Sequence, residues 1–416
     1  MRSVWILALA ASGCRGILGI DGPPARGTAD ASADGPADAA AIDCTTWHPD
    51  GLDPCALSIA VDSFHIAAPG YQFDTSGTGA LYDSAHNPVP SLLHAGKVVM
   101  QAGGSPILVL SVGQATIDPG ADLAVIGPMP LVVLSWTSIA IDGALDAGSH
   151  LGITDATKHT AETVRFGAGA NQGCTASAGK NGSNAATGGS GGGGGGGFQG
   201  AGGLGGHAGP DTVLGGVGGQ TGSATVIRAG CPGGTSGAAG SIAAGPASPG
   251  VRAQGGAGGG AIRLVARTSI SLGASASISA GGAGGAGAPT NSACGGGGGG
   301  AGGYLGFEAP MVNLGGSIAA NGGGGGAGAS TSETGHDGSD GTLGTDPAHG
   351  GAAATTCGSA GGPGAAAATL TGGTAGNTDA CSGGGGGGGG AAGAIVIVSP
   401  AYNPGSATAS PAPQVR

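Results

Sequence analysis

Four uninterrupted glycine runs constrain the C-terminal part of the chain, at residues 191–197, 295–300, 322–326 and 383–390. Glycine has no side chain to pack and loses the most backbone freedom on folding, so such segments are costly to order. From Gly167 onward 83 of 250 residues are glycine, yet no Gly-X-Y register of the collagen type runs through them. Any hydrophobic core must therefore come from the Ile, Leu and Val clusters between the runs.

The chain carries little charge for its length. Only 8% of its 416 residues are charged, and the net charge of -11 comes mostly from acids before Gly167. Lys and Arg are too few and too scattered for a nucleic-acid footprint. No nucleic-acid partner is therefore expected.

The first 14 residues have the features of an export signal. Met1-Arg2 gives a positive start, residues 4–11 are apolar, and Ala11-Ser12-Gly13-Cys14 places small residues before a cysteine. This resembles a bacterial lipoprotein signal, in which the leader is cleaved before the cysteine and the thiol is acylated, although Ala11 replaces the usual leucine. We therefore expect a lipid on Cys14 that anchors the protein to a membrane, at the outer membrane or cell surface. An ordinary secretory signal, giving a secreted protein, is the alternative.

Cysteine usage agrees with export, because disulfides persist in oxidising compartments. Cys44 and Cys55 stand close together at the start of the folded part, and we expect them to pair. The glycine-rich sequence holds five more: Cys174, Cys231, Cys294, Cys357 and Cys381. We expect Cys174 to pair with Cys231, while the last three share one bridge and one free thiol, with Cys294 and Cys381 close in space. No Cys-x-x-Cys occurs and no His stands at zinc-site spacing, so no metal site is predicted.

An internal repeat opens the folded part. Three short strand-like runs in residues 107–127 return in residues 131–148, and the same template recurs at residues 261–281, 303–321 and 393–410. Apolar residues alternate with small or polar ones, as in strands with one buried face. Repeats too short to fold alone bury their apolar face by stacking on one another. The sequence therefore predicts an all-β fold, a right-handed parallel β-helix-like solenoid of five coils.

Three glycine-rich excursions, residues 149–260, 282–302 and 322–393, separate the later coils. Each leaves after the same element of the template and returns just before the next coil's first strand. We therefore expect them to emerge from one corner and to lie side by side. Neighbouring glycine segments can adopt polyglycine II rods, whose N–H and C=O groups are free to bond adjacent segments. Disordered linkers are the alternative.

The composition divides the chain into six parts. The stretch before Cys44 is rich in Ala, Asp and Pro, a composition typical of a flexible tether. The expected parts are the signal peptide (1–14), the tether (15–43), an N-terminal cap region (44–106), the first two coils (107–148), a glycine-rich region with three further coils (149–410) and a tail (411–416).

Two resemblances follow from these motifs. Gly-Gly-Gly-Ala-Ile-Arg-Leu-Val-Ala, Gly-Gly-Tyr-Leu-Gly-Phe-Glu-Ala-Pro and Ala-Ala-Asn-Gly-Gly-Gly-Gly-Gly look like the motifs of uncharacterised glycine-rich bacterial surface lipoproteins, over nearly the whole chain. The poly-Gly runs alone resemble the glycine-rich extracellular segment of anaplastic-lymphoma-kinase-type receptors and glycine-rich antifreeze proteins, which use packed polyglycine II rods. The first resemblance implies a surface protein whose function is not established, and the second implies only the rods.

Candidates for catalysis are few. Enzymes that act on polysaccharides need several carboxylates converging on one face, and Asp118, Asp122, Asp142 and Asp146 come nearest to this pattern. Asp118 and Asp142 stand at turns, where Asp serves the backbone, and no basic residue accompanies the four. We therefore expect structural roles for them. Glu308 alternates with apolar residues and is expected to face solvent.

Other candidate motifs have a plainer explanation. Residues 336–341 have the composition of a calcium-binding turn, but the motif occurs once and out of register, so a plain loop is expected. The run at 190–197 lacks the Lys of a phosphate-binding loop. Trp47, Trp136 and Tyr304 are isolated in the sequence and are expected to be packing residues.

Taken together, these observations predict a non-enzymatic, lipid-anchored cell-surface protein, structural or adhesive, that displays a glycine-rich solenoid. No cofactor is expected, and the extracellular partners would be matrix or glycans. The alternative is a β-helix protein that binds or cleaves carbohydrate. A glycan array combined with a reducing-sugar release assay would separate the two.

Overall fold

In the structure, a computed structural model, nearly all of the helices and strands described are β-strands. It describes residues 44–59, 62–89, 96–152, 164–209, 213–240, 251–290, 292–378 and 382–416. These residues belong to one folded unit, Asp43–Arg416. The predicted signal peptide with Cys14 and the predicted tether lie outside the described residues, as does Cys381.

The N-terminal part contains two short helices and four strands. Both helices are of the 3-10 type, and Asp53 caps the second by accepting a hydrogen bond from the backbone N–H of Cys55 at 3.0 Å. The elements are the helices Cys44–Thr46 and Pro54–Ala56, followed by β1 (Ser63–Ile66), β2 (Tyr71–Asp74), β3 (Ala80–Tyr82) and β4 (Lys97–Val99).

Five rounds of three strands follow. The rounds are β5 (Ile107–Val112), β6 (Gln114–Ile117) and β7 (Asp122–Ile126); β8 (Leu131–Ser135), β9 (Ser138–Ile141) and β10 (Ala144–Asp146); then, after the short strands β11 (His150–Leu151) and β12 (Val164–Arg165), β13 (Ala261–Ala266), β14 (Ser269–Leu272) and β15 (Ser277–Ser279); β16 (Tyr304–Glu308), β17 (Met311–Asn313) and β18 (Ser317–Ala319); and β19 (Ala394–Val398), β20 (Ala401–Asn403) and β21 (Thr408–Ser410), closed by β22 (Gln414–Val415).

Successive rounds place their strands on the same three sheets in the same order. Sheet 1 has the order β22-β19-β16-β13-β8-β5-β4, sheet 2 the order β1-β6-β9-β14-β17-β20, and sheet 3 the order β21-β18-β15-β10-β7-β2-β3. Neighbouring rounds pair in parallel, and among the described strands of these three sheets only β3 and β4 join in the antiparallel sense. The predicted all-β fold with parallel sheets is therefore confirmed.

Both chain segments that flank the predicted coils also contribute strands. In the predicted cap region, β1 pairs in parallel with β6 and β2 with β7. The predicted tail is not separate from the fold, because β22 pairs with β19 in sheet 1. The short apolar-polar pattern of these segments was too weak to reveal the pairing in the sequence.

The strand register stacks like residues on like. In sheet 1, Leu131 lies opposite Ile262, and Ile262 lies opposite Leu305. Equivalent columns in sheets 2 and 3 hold Ile139, Ile270 and Val312, and Leu145, Ile278 and Ile318. All these side chains are buried in one cluster between the sheets. Each buried aliphatic side chain contributes about 1.5–3 kcal/mol, so the columns are the main stabilising element of the strand region.

Sheet 1 is buried on its second face too. Residues 44–59 lie against that face, where the Trp47 and Trp136 rings pack edge to face with centroids 5.3 Å apart. Lys97 Nζ donates to the carbonyl of Ala56 at 2.7 Å, and Ser111 Oγ donates to that of Ser58 at 2.8 Å. Burial on both faces explains why the strands of sheet 1 read as continuous apolar runs. The two tryptophans, isolated in the sequence, are packing partners.

The glycine runs are ordered by hydrogen bonds between segments. In residues 191–197, every third N–H donates to the same neighbour, at 2.7–3.1 Å: one set to residues 177–183, the second to residues 203–206 and the third to residues 296–299. Neighbouring segments therefore surround the run along its whole length. We call each such segment a rod.

The three excursions meet in this packing. Gly193 donates to the carbonyl of Gly296, Gly296 to that of Gly385, and Gly388 to that of Gly193, at 2.9, 2.9 and 2.8 Å. One rod from each excursion thus forms a closed triangle. The four glycine runs are packed segments and not disordered linkers, and the described parts of the three excursions lie side by side, as predicted from their common point of departure.

Candidate functional site

A groove lies on the outer side of sheet 3, beside the point where the excursions leave the strands. Its cavity measures about 390 Å³. The register places Ala144 of β10 between Asp122 of β7 and Ser277 of β15, so these three residues form one outward column. The groove is lined by Asp122, Leu123, Ala124, Ala144, Leu145, Asp146, His150, Arg165, Ser277, Ser279, Gly341 and Leu343.

An ionic cluster forms one wall of the groove. His150 Nε2 lies 3.0 Å from an Asp146 carboxylate oxygen, and His150 Nδ1 lies 3.1 Å from an Asp340 carboxylate oxygen. The guanidinium of Arg165 pairs with the same Asp146 oxygen. We call these four residues the ionic cluster. They come from three separate places in the sequence. The antiparallel pairing of β11 with β12 brings His150 next to Arg165.

The charges of the ionic cluster are mutually stabilised. The hydrogen bond to Asp146, then that to Asp340, raises the pKa of His150 from 6.5 to about 9, against the effect of burial. Burial by itself raises the pKa of Asp146, but the hydrogen bond from His150 and the charge of Arg165 bring it below its usual value. At neutral pH His150 is therefore cationic and Asp146 is anionic.

Asp340 also ties backbone segments together. Its second oxygen accepts from the N–H of Leu151 at 3.0 Å and of Gly284 at 2.8 Å. Asp337 accepts in the same way from Gly287 at 2.7 Å. The acids of the 336–341 motif thus bond glycine-region N–H groups. Among the described residues no group of three or more His, Cys, Asp or Glu side chains is placed to hold a metal ion.

The prediction that no basic residue accompanies the four aspartates is wrong for Asp146. Its partners stand 4 and 19 residues later in the sequence, and the β11–β12 pairing brings them back to sheet 3. The other aspartates do not join them in the ionic cluster. Asp118 lies in a turn and bonds exposed His65 at 2.9 Å, and the carbonyl of Asp142 accepts from Ser275.

Glu308 does not face solvent as predicted. Its side chain forms an ion pair with Arg263, and the two side chains are only 13% and 9% exposed. The backbone N–H of Asp50 donates to Glu308 at 2.8 Å, and Arg263 donates to the carbonyl of Asp50 at 2.8 Å. Residues 44–59 cover this face of sheet 1, which the alternation of β16 could not reveal. Burial also raises the pKa of neighbouring Tyr304.

The cysteines follow the predicted pairing where the structure describes them. Disulfides join Cys44 to Cys55 and Cys174 to Cys231, with Cα separations of 5.3 and 5.5 Å. Cys357 is disulfide-bonded, and Cys294 is a buried free thiol whose pKa is raised by burial. The predicted approach of Cys294 to Cys381 involves a residue outside the described part of the chain.

Comparison with protein-family models, with curated proteins and with solved structures found no match to this chain. Within the described ranges no helix has the length and apolar character needed to cross a membrane.

Proposed function

We propose that the three sheets are the sides of a right-handed parallel β-helix solenoid and that the glycine rods are polyglycine II helices. The recurring order of sheets supports the solenoid, and parallel strands joined by crossovers are right-handed in about 98% of cases. The three-residue hydrogen-bond period of residues 191–197 supports the rods, because polyproline II-type helices have three residues per turn.

The proposed role of the protein is structural or adhesive, at the cell surface, without enzymatic activity. A lipid on Cys14 would anchor it, and the Ala-, Asp- and Pro-rich tether would hold it away from the membrane. The solenoid would display outward the packed rods of the three excursions, which we call the glycine block. The two disulfides described above fit an exported protein. Matrix or glycans are the proposed partners.

One observation carries this proposal: the packed glycine rods are held together mainly by hydrogen bonds between backbone groups. Interior glycines donate in three directions to neighbouring rods, so the block is rigid without exposing reactive side chains. With 102 glycines in 416 residues, much of the chain builds a framework rather than a reaction centre. A rigid and nearly uncharged body suits display and contact better than chemistry.

The groove favours the second candidate, carbohydrate binding, but gives little support to cleavage. Hydrolysis of a glycosidic bond needs one carboxyl group that stays protonated to act as the acid. The pKa of Asp146 is lowered, and His150 and Arg165 hold its charge in place. We therefore keep binding, and not catalysis, as the role of this groove.

The proposal is tested by following the full chain in a bacterium that processes lipoproteins. Cells are fed alkyne-palmitate, and wild type is compared with Cys14→Ser for lipid labelling and for digestion by protease added outside the cells. We expect lipid-labelled, protease-accessible wild type and an unlabelled, unanchored variant. Wild type without lipid, or wild type shielded from protease, contradicts the anchored surface role.

A further inference from the structure

Ionisable residues are concentrated at the groove in a chain that otherwise avoids them. Four of them, Asp122, Asp146, His150 and Arg165, line one cavity, and Asp340 pairs with His150 beside it, although only 8% of the chain is charged. Polar side chains that converge on a concave surface are typical of a ligand site.

The ionic cluster fixes one wall of the groove and leaves it neutral. Asp146 and Asp340 contribute two negative charges, and His150 and Arg165 contribute two positive charges, each held by an ion pair. These side chains are already paired, so they shape the groove before any ligand arrives. Fixed polar walls lower the cost of ordering a site on binding.

Three other groups remain for a ligand. The side chain of Asp122 lines the groove and begins the outward column that continues with Ala144 and Ser277. Within the described part of the chain its carboxylate makes no hydrogen bond or ion pair. Ser277 supplies a hydroxyl that can donate and accept. Leu343, 42% exposed, provides an apolar surface on the excursion side of the groove.

This combination excludes several ligand classes. A phosphate or carboxylate ligand would meet an unpaired Asp122 and cations that are already neutralised. A tightly held metal ion lacks a cluster of three ligands in the described ranges. A purely apolar ligand would bury the charge of Asp122 without a partner. An uncharged molecule with both hydroxyls and an aliphatic face satisfies all three groups.

We propose that the groove binds a neutral saccharide unit, with Asp122 and Ser277 bonding its hydroxyls and Leu343 covering its C–H face. The cavity volume of about 390 Å³ lies within the range of small-molecule sites, roughly 300–1,000 Å³. This inference rests on the proposed surface role, because the saccharide is the partner that an adhesive surface protein would contact. The site is assigned to binding, without a reaction.

The test uses the full chain, purified in detergent, on an array of neutral oligosaccharides, with cationic and anionic glycans alongside. Asp122→Asn and Ser277→Val alter the groove, and Asp118→Asn removes a carboxylate at a turn away from it. Loss of one charged hydrogen-bond acceptor weakens binding roughly tenfold or more, so we expect that loss for Asp122→Asn and no change for Asp118→Asn. Equal melting temperatures would show that the variants fold.

Each outcome decides the matter. Selective binding of neutral glycans that Asp122→Asn weakens supports the site. Absence of binding, equal binding by folded Asp122→Asn, or a preference for charged glycans overturns it. Palmitate labelling and protease access are measured on the same variants. Protein that is anchored at the surface but binds no glycan contradicts this inference alone, whereas unanchored protein contradicts the surface role whatever the array shows.

Discussion

At the scale of single residues, the interior glycines are required by the space around them. A methyl group added to Gly325 would lie 1.9 Å from the carbonyl oxygen of Gly387, and one on Gly194 would lie 2.2 Å from that of Val217. These obstacles are backbone atoms of neighbouring rods, which cannot rotate away as a side chain could. The glycine of this region is therefore a packing requirement and not a source of flexibility.

Gly325→Ala is expected to destabilise the protein by at least about 1–3 kcal/mol, the usual effect of overpacking a tight interior. Gly344→Ala is the matched control, because the nearest atom to its added methyl would be 4.0 Å away. A surface change of this kind stays within about 0.5 kcal/mol. Chemical denaturation of both variants measures the difference. Equal stability would mean that the rods are not closely packed.

The ionic cluster gives a pH dependence whose sign follows from His150. Its pKa is raised from 6.5 to about 9 on folding, so its stabilising effect is full below pH 6.5 and is lost as the pH rises through about 9. We expect the free energy of unfolding to fall across this window more steeply in wild type than in His150→Gln. Denaturant titrations at a series of pH values test this. If the free energy of unfolding changed with pH equally in both proteins, the stabilising role of the His150 ion pairs would be contradicted.

At the scale of elements, strands and rods are stabilised by different interactions. The strands bury apolar columns, with Ile270 fully inside and its neighbour Ser271 exposed on the outer face of sheet 2. The rods bury mostly glycine and alanine instead of large apolar side chains, and they depend on backbone hydrogen bonds. A rod on the edge, such as residues 213–220, turns its side chains outward at every third position, with Leu214, Val217 and Gln220 exposed.

Ile270→Asp should destabilise the strand region strongly, by roughly 3 kcal/mol or more, because it places an unpaired charge in the core. Ser271→Asp on the same strand is the control and should have little effect, since its side chain faces outward. Thermal unfolding distinguishes the two. Similar melting temperatures for both variants would contradict the inward and outward assignment of β14.

The two described disulfides should contribute differently to the free energy of unfolding. Cys174–Cys231 closes 57 residues and Cys44–Cys55 closes 11, and the chain-entropy relation gives about 4 and about 3 kcal/mol for loops of these lengths. Paired Cys→Ser replacements, compared by denaturation, should therefore cost more at the first bridge. The reverse order would indicate that the glycine block holds residues 174 and 231 in place without the bridge.

At the scale of the whole molecule, two features of the sequence predicted the fold: the local alternation of apolar residues, and the position of the excursions within the repeated template. The alternation around Ile139 and Ile278 identified the strands, and the repeated point of departure placed the three excursions together. Long-range partners left no such trace. His150 and Asp340 are 190 residues apart, and Glu308 is covered by Asp50 from 258 residues earlier. No periodicity connects residues at those separations, so the groove and the buried ion pair required the structure.

Native-state hydrogen–deuterium exchange, read by mass spectrometry, tests the ordered glycine block most directly. Peptides that cover residues 191–197, 295–300, 322–326 and 383–390 are compared with peptides from β13 and β16, and with the same peptides in denaturant. Because interior rod N–H groups are hydrogen-bonded and buried, the glycine peptides should exchange as slowly as those strands. Exchange of the glycine peptides at the rate of the denatured chain, with the strands still protected, would contradict the hydrogen-bonded packing of the rods.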